Sequence, residues 1–149
     1  MGGSCVDYGA VTTPQTHYMV YKTCMNAKKE PAKIIEYYED FAKSFNSFVQ
    51  NIPSKPKLNP SYVDCSDGIG GVRFKDLNKF LNLDLKTINT GESTPVHLND
   101  LCGAEFVHKE KKFPRNLADV PMKMKCVSFD GDADRIIYLY FLHIIILCH

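Results

Sequence analysis

Three aspartates at alternate positions place a dense cluster of carboxylate oxygens in one short segment. Asp130, Asp132 and Asp134 are separated by single small residues, and Arg135 follows them directly. Carboxylate oxygens are the ligands that the hard cations Mg²⁺ and Ca²⁺ prefer, and unpaired carboxylates this close together repel one another. The spacing therefore indicates a site for a divalent cation, with an exposed acidic turn that binds nothing as the alternative.

Two known uses of this spacing fit the surrounding residues poorly. An EF-hand loop that began at Asp130 would need glycine at its sixth position and glutamate at its twelfth, where this chain has Arg135 and Phe141. A phosphatase of the haloacid dehalogenase type also places Asp-x-Asp after an apolar strand, but its pattern continues with Thr or Val where Asp134 stands, and it needs a long chain after the motif. The calcium loop is rejected, and the phosphatase remains the alternative function.

The acidic segment lies between two predicted strands, 125–129 and 136–140, which are rich in residues that favour strands. Strands and helices also alternate in the sequence before it. Their predicted bounds are a strand at 62–65, a helix at 72–82, a strand at 85–89 and a helix at 97–109. This alternation is typical of βαβ units, so we predict an α/β fold with a mainly parallel sheet and the acidic loop at a strand end.

The N-terminal third contains one clear periodic pattern. The first twenty-odd residues mix β-branched and aromatic residues around Pro14 and suggest extended chain or loop, whereas residues 31–51 have the apolar spacing of an amphipathic helix. Segment 53–61 is rich in proline and predicts a linker between domains. The glycine turn 68–71 suggests glycines at positive φ; a dinucleotide site would need a third glycine where Arg73 stands.

Composition and charge exclude several classes of partner. Eighteen basic and seventeen acidic residues give a formal net charge of +1, which provides no field for binding nucleic acid or an anionic membrane. The apolar run from Ile136 to His149 is shorter than the roughly twenty residues that a membrane-spanning helix needs. The six cysteines form no C-x-x-C pair, so we expect free thiols and a cytoplasmic location.

Segment 129–135 resembles, at every defining position, the metal-binding loop Asp-Gly-Asp-x-Asp-Arg of the α-D-phosphohexomutases. Ala133 at the variable position is similar to the branch of that family that acts on phosphoacetylglucosamine. Three further segments resemble the family in the same order along the chain, at 12–20, 63–70 and 98–107. The resemblance runs from about Asp7 to Tyr140 and fails in the tail that follows.

The resemblance implies an internal fragment of a larger enzyme with four domains. Residues 1–52 would be the end of the first domain with a connecting helix, 53–61 the linker, 62–140 a partial second domain with a mixed, mainly parallel sheet, and 141–149 an atypical hydrophobic tail. The branch that acts on phosphoacetylglucosamine interconverts N-acetylglucosamine 6-phosphate and N-acetylglucosamine 1-phosphate through a phosphoserine and Mg²⁺. A hexosamine phosphate is therefore the implied substrate of the full-length enzyme.

By the same resemblance, Asp130, Asp132 and Asp134 would hold Mg²⁺, and Arg135 would contact the phosphoryl group, with pairing to the neighbouring aspartates as its alternative role. No serine in the sequence precedes His-Asn, as the family's catalytic serine does. We therefore expect the phosphoserine to be absent and this chain alone to be inactive, with a truncated product without enzymatic function as a further alternative.

Overall fold

The computed structural model describes residues 5–27, 30–53, 61–92, 97–117, 124–142 and 145–146. Within these ranges two helices come first, strands and helices alternate over residues 61–129, and two further strands follow. The elements are α1 (Thr13–Met25), α2 (Ile34–Gln50), β1 (Ser61–Asp64), α3 (Ile69–Leu81), β2 (Leu85–Ile88), α4 (Gly103–Glu110), β3 (Lys125–Phe129), β4 (Ile136–Leu142) and β5 (Ile145–Ile146). None of the described helices is long and apolar enough to cross a bilayer.

The strands form one sheet in the order β2-β1-β3-β4-β5. Strand β1 lies between β2 and β3 and is parallel to both, with Val63 opposite Thr87 on one side and Val127 on the other. Strand β4 runs antiparallel to β3, and β5 pairs with the end of β4. The four strands β2-β1-β3-β4 thus form a mixed, mainly parallel sheet, and the predicted α/β class is confirmed.

The two faces of the sheet pack against different helices because alternate side chains of a strand point in opposite directions. On one face, Val107 of α4 and Leu117 form a buried core cluster with Cys126 and Leu139. On the other face, Phe129 packs edge-on against Phe74 of α3, with ring centroids 6.0 Å apart. The sheet is therefore covered by α3 on one side and by α4 on the other.

Residues 13–25 form a helix, so the prediction of extended chain or loop for this segment is wrong. Thr12 caps the helix: its side chain accepts a hydrogen bond from the Gln15 backbone, while the Gln15 side chain accepts one from the Thr12 N–H at 3.0 Å. This capping box and the burial of Met19 outweigh the strand preference of the Thr, Tyr and Val side chains.

Helix α2 confirms the helix predicted at 31–51 but begins three residues later, at Ile34, and it joins the N-terminal segment to the rest of the fold. The Tyr18 hydroxyl of α1 donates to Asp40 Oδ2 at 2.6 Å. On the other side of α2, the Tyr38 ring stacks on Phe80 of α3 with centroids 5.8 Å apart. Helix α2 therefore packs between α1 and α3.

Several predicted boundaries require correction. Helix α3 begins three residues before the predicted 72–82, and α4 begins at Gly103 because Asn99 and Leu101 adopt positive φ and interrupt the predicted helix 97–109. Strand β1 begins at the last residue of the predicted linker, and β4 continues into the predicted tail. The rest of the linker from residue 54 and most of that tail lie outside the described residues.

Candidate metal centre

The acidic loop lies where the chain connections of the sheet diverge. Helix α3 connects β1 to β2 across one face, and α4 lies on the opposite face in the connection from β2 to β3. The carboxyl ends of β1 and β3 are therefore neighbours at a point where the strand order reverses. Ligands of open α/β sheets bind at such switch points, outside the carboxyl ends of the strands.

Gly68 allows the start of α3 to pack directly on the acidic loop. A Cβ atom on Gly68 would lie 2.2 Å from the carbonyl oxygen of Gly131, and the backbone N–H of Ile69 donates to that oxygen at 3.1 Å. Gly68 itself has φ −96°, whereas Ser66 and Asp67 hold the positive φ values of this turn. The predicted positive φ within the glycine turn 68–71 is therefore wrong; at Gly68 the small residue is needed for close approach between two backbone segments.

Asp130 closes the acidic loop on itself. Its side chain is only 3% exposed, and Oδ1 accepts hydrogen bonds from the backbone N–H groups of Asp134 and Arg135, each at 3.1 Å. Its carbonyl oxygen accepts from the N–H of Ala133 at 3.1 Å, and Ala133 adopts φ 57° to make this turn. These bonds bring one carboxylate oxygen of Asp130, Asp132 and Asp134 within 4.8 Å of one another.

The charges of the loop oppose one another. Burial would raise the pKa of Asp130, but hydrogen bonds from the side chain and backbone of Arg135 hold it below its ordinary value. The pKa of Asp134 is raised, first by its hydrogen bond with Asp130, then by burial and by the charges of Asp130 and Asp132. A divalent cation would relieve this repulsion between carboxylates.

The candidate ligand atoms of this loop are suited to Mg²⁺. All three candidate ligands are carboxylate oxygens, and Asp132 and Asp134 are exposed while Asp130 anchors the loop. Hard cations with a preference for oxygen match such a donor set, and Mg²⁺ commonly keeps several waters in addition to its carboxylate ligands. The predicted ligands are thus brought together by the fold.

Arg135 lies beside the acidic cluster with its side chain 61% exposed. Its Nε donates to Asp130 Oδ2 at 2.6 Å and lies 3.7 Å from Asp134 Oδ1. The pairing with neighbouring aspartates is therefore observed, and the exposed side chain remains open to solvent. Contact between Arg135 and a phosphoryl group stays a prediction.

Helix α1 supplies a contact that the sequence analysis did not identify. The backbone N–H of Thr13 donates to the carbonyl oxygen of Asp132 at 3.2 Å, and the Thr13 hydroxyl donates to Asp132 Oδ2 at 2.5 Å. The two residues are 119 positions apart, so no local pattern joins them. The one feature of the sequence that could have pointed to this contact is that segment 12–20 and the acidic loop both resemble the same family.

A buried polar network lies beneath the acidic loop. Asp64, at the end of β1, accepts hydrogen bonds from the side chain of Asn89 at 2.8 Å and from the N–H of Gly103 at 2.8 Å, and also from the Ser128 hydroxyl. The Ser66 hydroxyl donates to the carbonyl oxygen of Phe129, the residue before Asp130, at 2.7 Å. These bonds tie the ends of three parallel strands together and fix the point at which the acidic loop begins. Polar residues at successive strand ends were the signal that could have identified the network.

Comparisons with known proteins identify relatives along nearly the whole chain. The family model described as phosphoacetylglucosamine mutase AMG1, domain II, matches residues 29–137. The chain is 39% identical over 147 residues to a phosphoacetylglucosamine mutase of Arabidopsis thaliana and 36% identical over 141 residues to that of Homo sapiens. Each match covers 94% of this chain but only 25% and 26% of the relatives, so the chain spans about a quarter of their length.

Solved structures give the same result. The chain is similar to an Aspergillus fumigatus N-acetylphosphoglucosamine mutase in complex with GlcNAc-6P and magnesium, with a TM-score of 0.76 and 31% identity over 93% of this chain and 28% of that one. It is also similar to an N-acetylglucosamine-phosphate mutase of the α-D-phosphohexomutase superfamily in its substrate complex, with a TM-score of 0.71 and 30% identity. That match covers 90% of this chain and 25% of the other.

Proposed function

The chain belongs to the phosphoacetylglucosamine mutase family, and we propose that it contributes the Mg²⁺-binding part of an enzyme that interconverts N-acetylglucosamine 6-phosphate and N-acetylglucosamine 1-phosphate. One observation carries the proposal: in a chain of this family, three carboxylates converge within 4.8 Å at the switch point of the sheet. The Aspergillus relative binds GlcNAc-6P and magnesium. Membership of this family favours the mutase over the phosphatase alternative.

Each residue of the loop has a proposed role. Asp130, Asp132 and Asp134 hold the cation, and the buried carboxylate of Asp130 also fixes the backbone of the loop through its hydrogen bonds. When bound, Mg²⁺ supplies positive charge that polarises phosphoryl oxygens and offsets the charge developing during transfer. Arg135 contacts the phosphoryl group that is transferred, because its planar guanidinium matches phosphate oxygens.

This chain alone is proposed to be inactive. Phosphoryl transfer is catalysed mainly by positioning and electrostatic stabilisation, and both need groups on each side of the moving phosphoryl group. No serine of the sequence stands before His-Asn, so the phosphoserine is proposed to be absent. The division into 1–52, a linker at 53–61 and 62–140 stays part of this proposal, as does the cytoplasmic location, which the five free cysteines among the described residues support.

A coupled assay tests the proposal. Purified chain is supplied with Mg²⁺, N-acetylglucosamine 6-phosphate and a catalytic amount of a hexose bisphosphate, and formation of the 1-phosphate is followed. We expect no turnover above that of an Asp130→Ala chain, which exposes contaminating host mutase. Turnover that the Asp130→Ala chain lacks would mean that a phosphoryl acceptor exists within these residues.

Metal binding is tested separately by titration calorimetry. We expect weak Mg²⁺ binding, because three carboxylates leave much of the coordination shell to water. Asp132→Asn should weaken it further by removing a charge while keeping the shape, whereas Asp84→Asn, an exposed control beside β2, should not. Tight, Ca²⁺-selective binding, or no Mg²⁺ binding at all, would contradict the proposed site.

A further inference from the structure

Thr13 joins α1 to a candidate ligand of the acidic loop through two hydrogen bonds. Its backbone N–H and its hydroxyl hold the two ends of Asp132, the carbonyl oxygen at 3.2 Å and carboxylate Oδ2 at 2.5 Å. Thr13 is the first residue of α1, so its N–H has no partner inside the helix and is free to bond the loop. Asp132 is otherwise an exposed residue in a tight turn, and α1 therefore fixes its orientation.

We propose that Thr13 is a positioning residue that makes the acidic loop selective for Mg²⁺ over Ca²⁺ by holding Oδ2 of Asp132. The inference rests on the proposed Mg²⁺ site and adds to it a residue outside the loop. Thr13 acts through Asp132 and touches neither the cation nor the substrate.

The selectivity follows from how the two cations use carboxylates. Ca²⁺ takes six to eight oxygens in a flexible shell and often binds both oxygens of one carboxylate, whereas Mg²⁺ requires a small octahedral shell. The Thr13 hydroxyl donates to one of the two lone pairs of Oδ2 and so holds the carboxylate in one rotation, which leaves both lone pairs of Oδ1 for a cation. One fixed oxygen suits Mg²⁺ and disfavours two-oxygen binding by Ca²⁺.

Asp130 is constrained in the same sense. Its Oδ1 accepts two backbone hydrogen bonds, and its Oδ2 accepts a hydrogen bond from Nε of Arg135 at 2.6 Å. Two of the three carboxylates are thus held by protein donors before a cation arrives. Such supporting hydrogen bonds orient metal ligands, and their loss typically costs about 10- to 100-fold in metal affinity.

The test measures cation affinity in the chain as it exists. Mn²⁺, which also prefers octahedral oxygen ligands, serves as the spectroscopic probe, and its displacement by Mg²⁺ and by Ca²⁺ gives both dissociation constants. Thr13→Val removes the hydroxyl and keeps the shape of the side chain. Thr13→Ala also removes the hydroxyl, and alanine favours the helical conformation. Thr13→Ser keeps the hydroxyl. Thr16→Val is the matched control, because the Thr16 hydroxyl donates within α1, to the carbonyl oxygen of Thr12.

Both variants without the hydroxyl should bind Mg²⁺ about tenfold more weakly and lose most of the preference for Mg²⁺ over Ca²⁺. Thr13→Ser and Thr16→Val should retain the wild-type affinity and preference. Partial unfolding lowers the apparent affinity for both cations together, so a change in their ratio reports on the site. An unchanged ratio in Thr13→Val and Thr13→Ala overturns the inference, while a wild-type chain that binds no Mn²⁺ or Mg²⁺ overturns the proposed metal site and the inference with it.

Discussion

Asp64 shows how one buried carboxylate can organise a functional edge of a sheet. It is fully buried, and its two oxygens accept four hydrogen bonds, from the Ser66 and Gly103 N–H groups and from the Asn89 and Ser128 side chains. Every one of these partners is a donor, so the site is complementary to a carboxylate. The residue therefore holds together the strand ends from which the acidic loop begins.

Asp64→Asn should lower the free energy of unfolding by about 3 kcal/mol. The new NH₂ group would replace an oxygen that accepts two hydrogen bonds, so the two groups that donate to that oxygen would be buried without an acceptor. Urea unfolding followed by circular dichroism measures this loss. Asp84→Asn, at an exposed position, should stay within about 0.5 kcal/mol of the wild type. Equal urea midpoints for the two variants would show that the Asp64 network contributes little to stability.

At the scale of elements, the position of the acidic loop depends on how closely α3 approaches it. A Cβ on Gly68 would meet the backbone of Gly131 at 2.2 Å, whereas a Cβ on Gly70, two residues further on, would approach the Cβ of Ala133 at 3.0 Å and Cδ2 of Phe129 at 3.6 Å. An overlap at 2.2 Å requires a far larger displacement than a contact at 3.0 Å, which needs its neighbour to move by only a few tenths of an ångström. The two glycines are therefore expected to differ in what substitution costs.

Gly68→Ala should lower the free energy of unfolding by about 3 kcal/mol, at the upper end of the cost of overpacking, because the added methyl group requires α3 and the loop to separate. Gly70→Ala adds a tight contact but gains the helix preference of alanine, which is worth about 0.5–1 kcal/mol, so a net change within about 1 kcal/mol is expected. Thermal unfolding of both variants provides the comparison. A Gly70→Ala chain as unstable as Gly68→Ala would contradict the role given to the backbone contact.

At the scale of the whole molecule, three cysteines report on the integrity of the sheet. Cys65 follows β1, Cys102 precedes α4 and Cys126 lies in β3, and all three are buried. Burial, with the nearby charge of Asp64, raises the pKa of Cys65 and of Cys102 to about 12, and burial raises that of Cys126 to about 11. The thiolate is the reactive form of cysteine. These side chains are therefore protected from alkylation because reagents cannot reach them and because their thiols stay protonated.

Iodoacetamide at pH 8 should therefore label Cys5 and Cys24, which are exposed, and leave the three buried cysteines unlabelled until urea unfolds the sheet. The protonated state is favoured because pH 8 lies well below all three raised pKa values, and the part of the protection that comes from protonation should be lost as the pH rises towards about 11 or 12. Mass spectrometry of peptides gives the extent of labelling at each residue. Rapid labelling of Cys126 in the native protein would show that the sheet opens readily.

Local features of the sequence determined much of this protein. The alternating strands and helices from residue 61 onward, helix α2 and the acidic loop at a strand end could all be predicted, because apolar periodicity and ligand spacing are properties of short segments. Helix α1 was missed for the same reason: strand-favouring residues dominate its sequence, and the Thr12–Gln15 capping box and burial of Met19 decide its conformation.

The support around the metal centre was decided only by the tertiary structure. The Thr13 contact with Asp132, the meeting of Gly68 with Gly131 and the convergence of donors on Asp64 all join residues that are far apart in the chain. Sequence spacing predicts which residues could bind a cation. Which distant groups hold those residues in place depends on the order of strands in the sheet and on where α1 docks, and short-range patterns carry no information on either.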